Sequence, residues 1–292
     1  MFLESLSIKN LKLHTETEFD PGFGLNYFIG GNGEGKTTVL EAVYYLCTSK
    51  NLLQLNDSDA VRFNENFFDL RGRFNENSTN EVRVYYSADT KKKNIILNDK
   101  ELQKSSELIG HFPVVTLTQS DLSITKGSPA DRRKFTDSVL SQANKTYLEF
   151  LLEYQKILKN RAALLNQIRE TRNYSLLDEL TAWNENLIKC GTEIIKRRKV
   201  FICELNNYLK EVYVNLLKEK EKPDIIFKSI EFINDNELDE KYKMSLKQFK
   251  DEEIRKGINL IGPHRDDLQF SINGNDLKKF GSQGQNKTFQ IA

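Results

Sequence analysis

The stretch Gly30-Gly31-Asn32-Gly33-Glu34-Gly35-Lys36-Thr37 sets four glycines, a lysine and a hydroxyl at the spacing G-x-x-x-x-G-K-[ST], and each constrained position has a task in holding phosphate. The glycines allow backbone conformations that a Cβ forbids and let N–H groups approach phosphate oxygens. Lys36 supplies a point charge for β- and γ-phosphates, and Thr37 offers a hydroxyl to Mg²⁺. The elements that must position this loop lie on either side of it. Leu25-Asn26-Tyr27-Phe28-Ile29 reads as an apolar strand, and from Thr38 onward Val39, Leu40, Ala42, Val43, Tyr44 and Leu46 space as a helix. The positive end of that helix dipole aims at the same phosphates. A strand, loop and helix in immediate succession argue for a nucleotide site over a chance match in a Gly-rich loop.

Composition bounds what else the chain can be. It has 292 residues, 38% of them hydrophobic, enough for one large or two modest globular domains. Lys and Arg number 43 against 42 Asp and Glu, which excludes a global basic field, so any nucleic-acid binding must rest on local patches. Cys47, Cys190 and Cys203 are odd in number and far apart, which suits buried thiols in a reducing compartment better than a disulfide framework. His14, His111 and His264 form no local metal cluster. With neither a signal segment nor a long apolar run, the expectation is a cytoplasmic protein with no membrane contact.

Along the chain, Phe2 to Leu13 alternates as a first strand, with Leu3, Leu6, Ile8, Leu11 and Leu13 available for burial. A turn at Pro21-Gly22 leads to the next strand, and together they predict a parallel or mixed sheet with a helix behind it. Lys12 either reaches an α-phosphate or base from the strand end or is simply solvated. Short strands are predicted over 67–74, 82–88 and 94–97. Lys91-Lys92-Lys93 sits at a hairpin tip, as a DNA backbone contact or a soluble turn. Residues 112–118 predict another buried strand. Ser128-Pro129-Ala130-Asp131 is a helix start, followed by Arg132-Arg133-Lys134, which cannot share one helical face. From Tyr147 to about Lys220 apolar residues step by three and four in two series, broken at Arg172-Asn173-Tyr174-Ser175, predicting two antiparallel helices packed like a coiled coil. Lys196-Arg197-Arg198-Lys199 interrupts the second series where an apolar residue was due, as a DNA-facing patch or a solvated face. Gly262-Pro263 is a sharp turn before His264-Arg265-Asp266-Asp267, which alone reads as a self-satisfied ion-pair network, and Asn273-Gly274 marks a hairpin.

Ser282-Gln283-Gly284-Gln285 before a helix resembles the signature segment of ABC-type ATPases, in which a serine hydroxyl and a helix N-terminus contact the γ-phosphate held by another subunit's loop. Its wide separation from the phosphate loop points to the SMC-like branch. Across the whole chain the sequence resembles the RecF family of bacterial recombination mediators. The resemblance rests on the phosphate loop with Leu40-Glu41-Ala42, on Asp121-Leu122 and Lys126-Gly127-Ser128-Pro129 with Arg132-Arg133, Phe135 and Asp137, on Gly262-Pro263-His264-Arg265-Asp266-Asp267-Leu268, and on Gly281-Ser282-Gln283-Gly284-Gln285.

That resemblance implies an α/β fold with an ABC-type, SMC-like P-loop ATPase lobe and an inserted helical, coiled-coil-like lobe. The expected division is 1–120 for the first part of the ATPase lobe, 121–256 for the helical lobe and 257–292 for a return to the ATPase lobe. The resemblance also implies ATP and Mg²⁺ as cofactors and an ATP-dependent homodimer. In that dimer Gly30 to Thr38 hold nucleotide, while Ser282, Gly284 and Gln285 close on it from a second protomer. The implied partners are double-stranded and gapped or single-stranded DNA together with RecO and RecR, in RecA loading, replication and the SOS response. Departures from the family pattern are Gln119-Ser120 before Asp121-Leu122, which makes Gln119 a switch glutamine or a neutral change, and Leu11-Lys12 in place of Phe-Arg. The chain is expected to stop at Ala292 before the Walker B strand and its hydrolytic carboxylates. The alternative is a structural SMC-like or phage-type ATPase whose helices tether protein partners. A small-molecule P-loop kinase would leave the Ser282 segment without a purpose.

Overall fold

The computed structural model describes residues 1–53, 55–76, 78–118, 124–217, 220–232 and 234–292, and the chain divides into two compact units, Met1–Val115 and Thr116–Ala292. In the first, β1 (Phe2–Leu11) buries Leu6 and Ile8 at alternate positions and pairs antiparallel with β2 (His14–Phe19) on one side and β3 (Phe67–Asn75) on the other. The ladder continues antiparallel through β4 (Thr79–Ser87), β5 (Lys92–Leu97) and β6 (Lys100–Glu101) in the order β2-β1-β3-β4-β5-β6. Helix α1 (Lys36–Thr48) covers the sheet with Val39, Ala42, Tyr45 and Leu46. Gly72 is needed where the helix crosses β3, since a Cβ there would lie 2.7 Å from Leu46 Cδ1. A short α2 (Asp57–Ala60) follows α1.

The parallel or mixed sheet predicted around the loop is therefore not what pairs among the described residues. Leu25 to Ile29 runs extended with Phe28 packed into the core, while Leu25, Tyr27 and Ile29 are 77, 76 and 92% exposed. The predicted strand at 112–118 behaves alike: Phe112 and Val114 pack inward, but no ladder forms and Val115 is 96% exposed. Alternation buries one face of an extended segment, whereas pairing needs a neighbouring strand as well.

The second unit begins with α3 (Pro129–Ala143), capped by Ser128, whose hydroxyl accepts the Asp131 N–H while the Asp131 carboxylate takes the Ser128 N–H. Helices α4 (Lys145–Thr171) and α5 (Leu177–Leu217) form the predicted hairpin, because Leu151, Tyr154 and Ile157 pack with Leu187, Cys190 and Ile194 while Leu164, Leu165 and Ile168 meet Leu180. The chain reverses at Arg172, where φ is 52°. Then follow β7 (Pro223–Lys228), α6 (Asp235–Gln248), α7 (Lys250–Lys256), β8 (Asp267–Ile272), β9 (Asn275–Asp276), α8 (Leu277–Phe280) and α9 (Gln283–Ile291). The turn from β8 to β9 uses Asn273 and Gly274, both at positive φ, as their sequence predicts.

Residues 257–292 belong to the second unit. β8 pairs with β7, and Phe270, Leu277 and Phe289 share a core with Ile202, Leu209 and Tyr213 of α5. The boundary between the two compact units follows Val115.

The cluster after Gly262 is a buried network. Gly262 has a φ of 130°, and a Cβ on it would strike the hydroxyls of Tyr154 and Tyr242. His264 Nε2 donates to the Asn259 carbonyl (3.2 Å), which leaves Nδ1 to accept from the Tyr154 hydroxyl (2.8 Å). Burial pushes the His264 pKa down to about 4. Its contribution to stability is therefore complete above the unfolded value near 6.5 and is lost as pH falls through about 4. Between pH 7 and pH 4, His264→Gln is expected to lose about 3 kcal/mol less stability than wild type in urea titrations. Superimposable pH profiles for the two proteins would show that His264 is not the titrating group.

Candidate nucleotide site and signature loop

The phosphate loop takes its shape from backbone that only glycine adopts readily and from two of its own side chains. Gly33 and Gly35 both have φ of 84°, and Gly35 is the N-cap of α1. Glu34 accepts the Gly31 N–H at 2.7 Å, so close that a Cβ at Gly30 or Gly31 would meet its carboxylate. Lys36 Nζ donates to the carbonyls of Gly30 (2.9 Å) and Gly31, which holds its charge over the loop entrance. Gly30 to Glu34 and Thr37 are solvent-exposed. The first turn of α1 leaves the N–H groups of Lys36, Thr37 and Thr38 without intrahelical acceptors. A cradle of exposed amides, one ammonium and one hydroxyl fits a nucleotide triphosphate chain with a hard divalent cation on Thr37.

Two side chains before the loop brace it from β2 and the turn preceding β2. His14 Nε2 lies 3.1 Å from the Gly35 carbonyl and donates to it, while Nδ1 accepts from the Thr17 hydroxyl at 2.9 Å. Gly35 O also accepts the Val39 N–H, the first bond of α1. Lys12 is paired with a carboxylate of α1. Held at φ 49°, it puts Nζ 2.7 and 2.6 Å from the two carboxylate oxygens of Glu41, a residue of α1 that is 1% exposed.

The signature segment is built at the N-terminus of α9. The Ser282 hydroxyl oxygen accepts the Gln285 N–H (3.1 Å) and the Gln285 amide oxygen accepts the Ser282 N–H (2.9 Å), a reciprocal cap. Accepting one bond leaves the Ser282 O–H proton available as a donor beside the helix N-terminus. Gln285 Nε2 is held by Glu221 at 2.8 Å. Ser282, Gln283 and Gly284 are exposed, and Asn286 beneath them is buried.

A family model described as an AAA domain matches residues 5–261. The RecF protein of Chloroherpeton thalassium, a DNA replication and repair protein, is 39% identical over all of this chain and 80% of its own length. That of Leptospira interrogans is 37% identical over all of this chain and 78% of its own. The chain belongs to the RecF family. A solved structure of the recombination mediator RecF with ATP, in the RecFOR pathway, aligns with a TM-score of 0.92 at 29% identity, over 99% of this chain and 78% of that one. A head domain of Smc from Pyrococcus furiosus aligns at TM-score 0.50 and 16% identity over 99% of this chain and 77% of its own, a likeness of fold. The α/β, ABC-type and SMC-like P-loop architecture read from the sequence is thus the architecture of this RecF-family chain.

The cation runs are split between inward and exposed positions. Arg198 is 3% exposed and faces inward, with Nη2 on Asp137 (2.8 Å) and Nη1 on Asp266 (2.9 Å) and on the Pro263 carbonyl (2.7 Å). Lys196 and Arg197 lie within 3.5 and 3.8 Å of the Glu193 carboxylate, and Lys199 sits over the Phe232 ring and donates to its carbonyl. Lys93 is spent on Asp57 (2.7 Å) and the Ser49 carbonyl (2.8 Å), while Lys91 and Lys92 are exposed. Arg198 and Lys93 are therefore structural, because a packed helix or strand needed their charge inside. Gln119 lies outside the described residues. His14 and Asn286 carry no signature in the sequence that marks them as parts of the site, and Glu41 enters only within the Leu40-Glu41-Ala42 run of the family resemblance.

Replacing His14 by Ala is expected to weaken nucleotide binding about fivefold through loss of one hydrogen bond. His14→Gln, which can still donate to Gly35, is expected to restore most of it. Fluorescence titration with a labelled nucleotide reads both, and equal affinities in wild type and His14→Ala would refute the bracing role.

Proposed function

We propose that this chain is the ATP-binding, DNA-binding part of a recombination mediator that acts as an ATP-dependent dimer in DNA repair. The observation that carries the reading is the pairing of one exposed phosphate cradle, at Gly30 to Thr38, with one exposed, donor-bearing helix start, at Ser282. Two copies then make two composite sites, a closed arrangement of twofold symmetry. The loop amides and Lys36 orient the triphosphate, Thr37 holds Mg²⁺, and Ser282 with the α9 N-terminus of the second copy binds the γ-phosphate. Because a diphosphate lacks the group that Ser282 meets, association follows nucleotide state.

Support for the rest comes from the relatives. RecF proteins are described as DNA replication and repair proteins, and the solved RecF–ATP complex is placed in the RecFOR pathway. The reading adds double-stranded and gapped DNA as ligand, RecO and RecR as partners in placing RecA, a link to the SOS response and a cytoplasmic site of action. No described helix is long and apolar enough to cross a membrane. With a formal charge of +1, DNA binding rests on dispersed cations brought together by dimerisation, with steep salt dependence and little base readout.

Sedimentation of the intact protein with ATP or ADP tests the core of this. Lys36→Ala is expected to lose nucleotide binding and association together. Ser282→Arg is expected to keep nucleotide binding and lose ATP-driven association. Association that persists in both variants rules the mechanism out.

A further inference from the structure

Beneath the exposed signature loop lies a polar post that no motif accounts for. Asn286 is 4% exposed, and its Nδ2 donates to the carbonyls of Gly281 (3.1 Å) and Ser282 (2.9 Å), the two peptide groups that carry the signature serine. The fit is close: a Cβ on Gly281 would lie 2.9 Å from Asn286 Nδ2 and 2.5 Å from the Leu277 carbonyl. Which way the Asn286 amide faces is set from a distant part of the chain. Thr125, 1% exposed, donates its hydroxyl to Asn286 Oδ1 at 2.7 Å and accepts from Gln290 Nε2 at 2.6 Å.

Thr125 is itself anchored. Arg132 Nη1 donates to the carbonyls of Ile124 (3.4 Å) and Gly127 (3.0 Å), Lys278 reaches the Gly127 carbonyl at 3.1 Å, and Asp267 grips Arg132 at 2.7 and 3.0 Å. Bonds therefore run from Asp267 through Arg132 to the backbone on either side of Thr125, and from the Thr125 hydroxyl to Asn286 and the Ser282 peptide.

We propose that Asn286 is the positioning residue of the signature loop and that Thr125 fixes its orientation, so that Ser282 is aimed at nucleotide only while the Thr125–Asn286 bond is made. This rests on the reading that Ser282 meets the γ-phosphate of a second copy. Flipping the Asn286 amide would turn an acceptor toward two carbonyls, and the loop would have to move away.

Thr125→Val keeps the shape and removes the hydroxyl. The intact variant is expected to bind labelled nucleotide as wild type does, while the ratio of ATP- to ADP-driven association in sedimentation falls about tenfold. Thr125→Ser is expected to restore the ratio. Gln290→Ala, at a half-buried position, is a milder variant expected to lower the ratio about threefold. A Thr125→Val protein with a lower melting temperature but an unchanged association ratio would overturn the proposal, since Thr125 would then serve only the fold. Association that survives Lys36→Ala would instead remove the dimer reading itself, and this proposal with it.

Discussion

Three guanidiniums lie inside the second unit, those of Arg132, Arg161 and Arg198, at 4, 1 and 3% exposure, and the unit can exist only if each is met by carboxylates and carbonyls. Arg161 is met by Glu253, Asn259 and Asn184, Arg198 by Asp137, Asp266 and the Pro263 carbonyl, and Arg132 by Asp267 and two loop carbonyls. Removing one partner from such a pair costs about 3–5 kcal/mol, a large part of what a domain has to spare. Since each acid comes from a segment far from its arginine, the pairs fix how α3, α4 and α5 meet the turn at Gly262. The Asp266 carboxyl shows how tight the balance is: burial pushes it up to about 6 although Arg198 lies 2.9 Å away.

That constraint reaches the site through backbone. Both candidate phosphate-binding surfaces are helix starts open to solvent whose supports are buried or half-buried. At α1 the supports are Glu41, paired with Lys12, and His14 on the Gly35 carbonyl. At α9 they are Asn286 and the Thr125 that orients it. A donor that must meet a developing or transferred charge works only if its peptide is already held, and here that hold comes from side chains behind the exposed surface. The design accounts for two sequence blocks that carry no evident chemistry of their own. Asp267, and the helix start at Ser128 that carries Arg132, are the far ends of the bonds that lead to the backbone beside Thr125.

Much of this was legible from residue types. A phosphate loop constrains glycine, lysine and hydroxyl at fixed spacing, so Gly30 to Thr37 stand out without any structure. Helix periodicity exposed the α4–α5 hairpin, and Asn273-Gly274 announced its turn. What stayed hidden depended on partners distant in sequence. Strand direction could not be read at Leu25 to Ile29, because alternation reports which face is buried and says nothing of a neighbour. The placement of 257–292 depended on β7 and α5 providing a second sheet and core. His14 counted in the sequence only as one of three dispersed histidines, while its actual partner is a backbone carbonyl. Asn286 looked like one more polar residue at a helix start, and only Thr125, far back in the chain, gives it a direction.

The cation run on α5 carries a more general point about nucleic-acid binding. Successive residues of a helix turn by about 100°, so four in a row face every side. A helix packed on several sides must then bury at least one of them, and Arg198 is that one. Runs of charge on a deeply packed helix are thus poor markers of a nucleic-acid surface, and their interruption of an apolar series is better read as a buried ion pair. In a chain with almost equal numbers of acids and bases, a surface for phosphate backbone has to be assembled from single cations on separate elements, each kept outside because no carboxylate claims it. Under the proposed dimer, nucleotide-driven association doubles such a sparse set without changing net charge per chain.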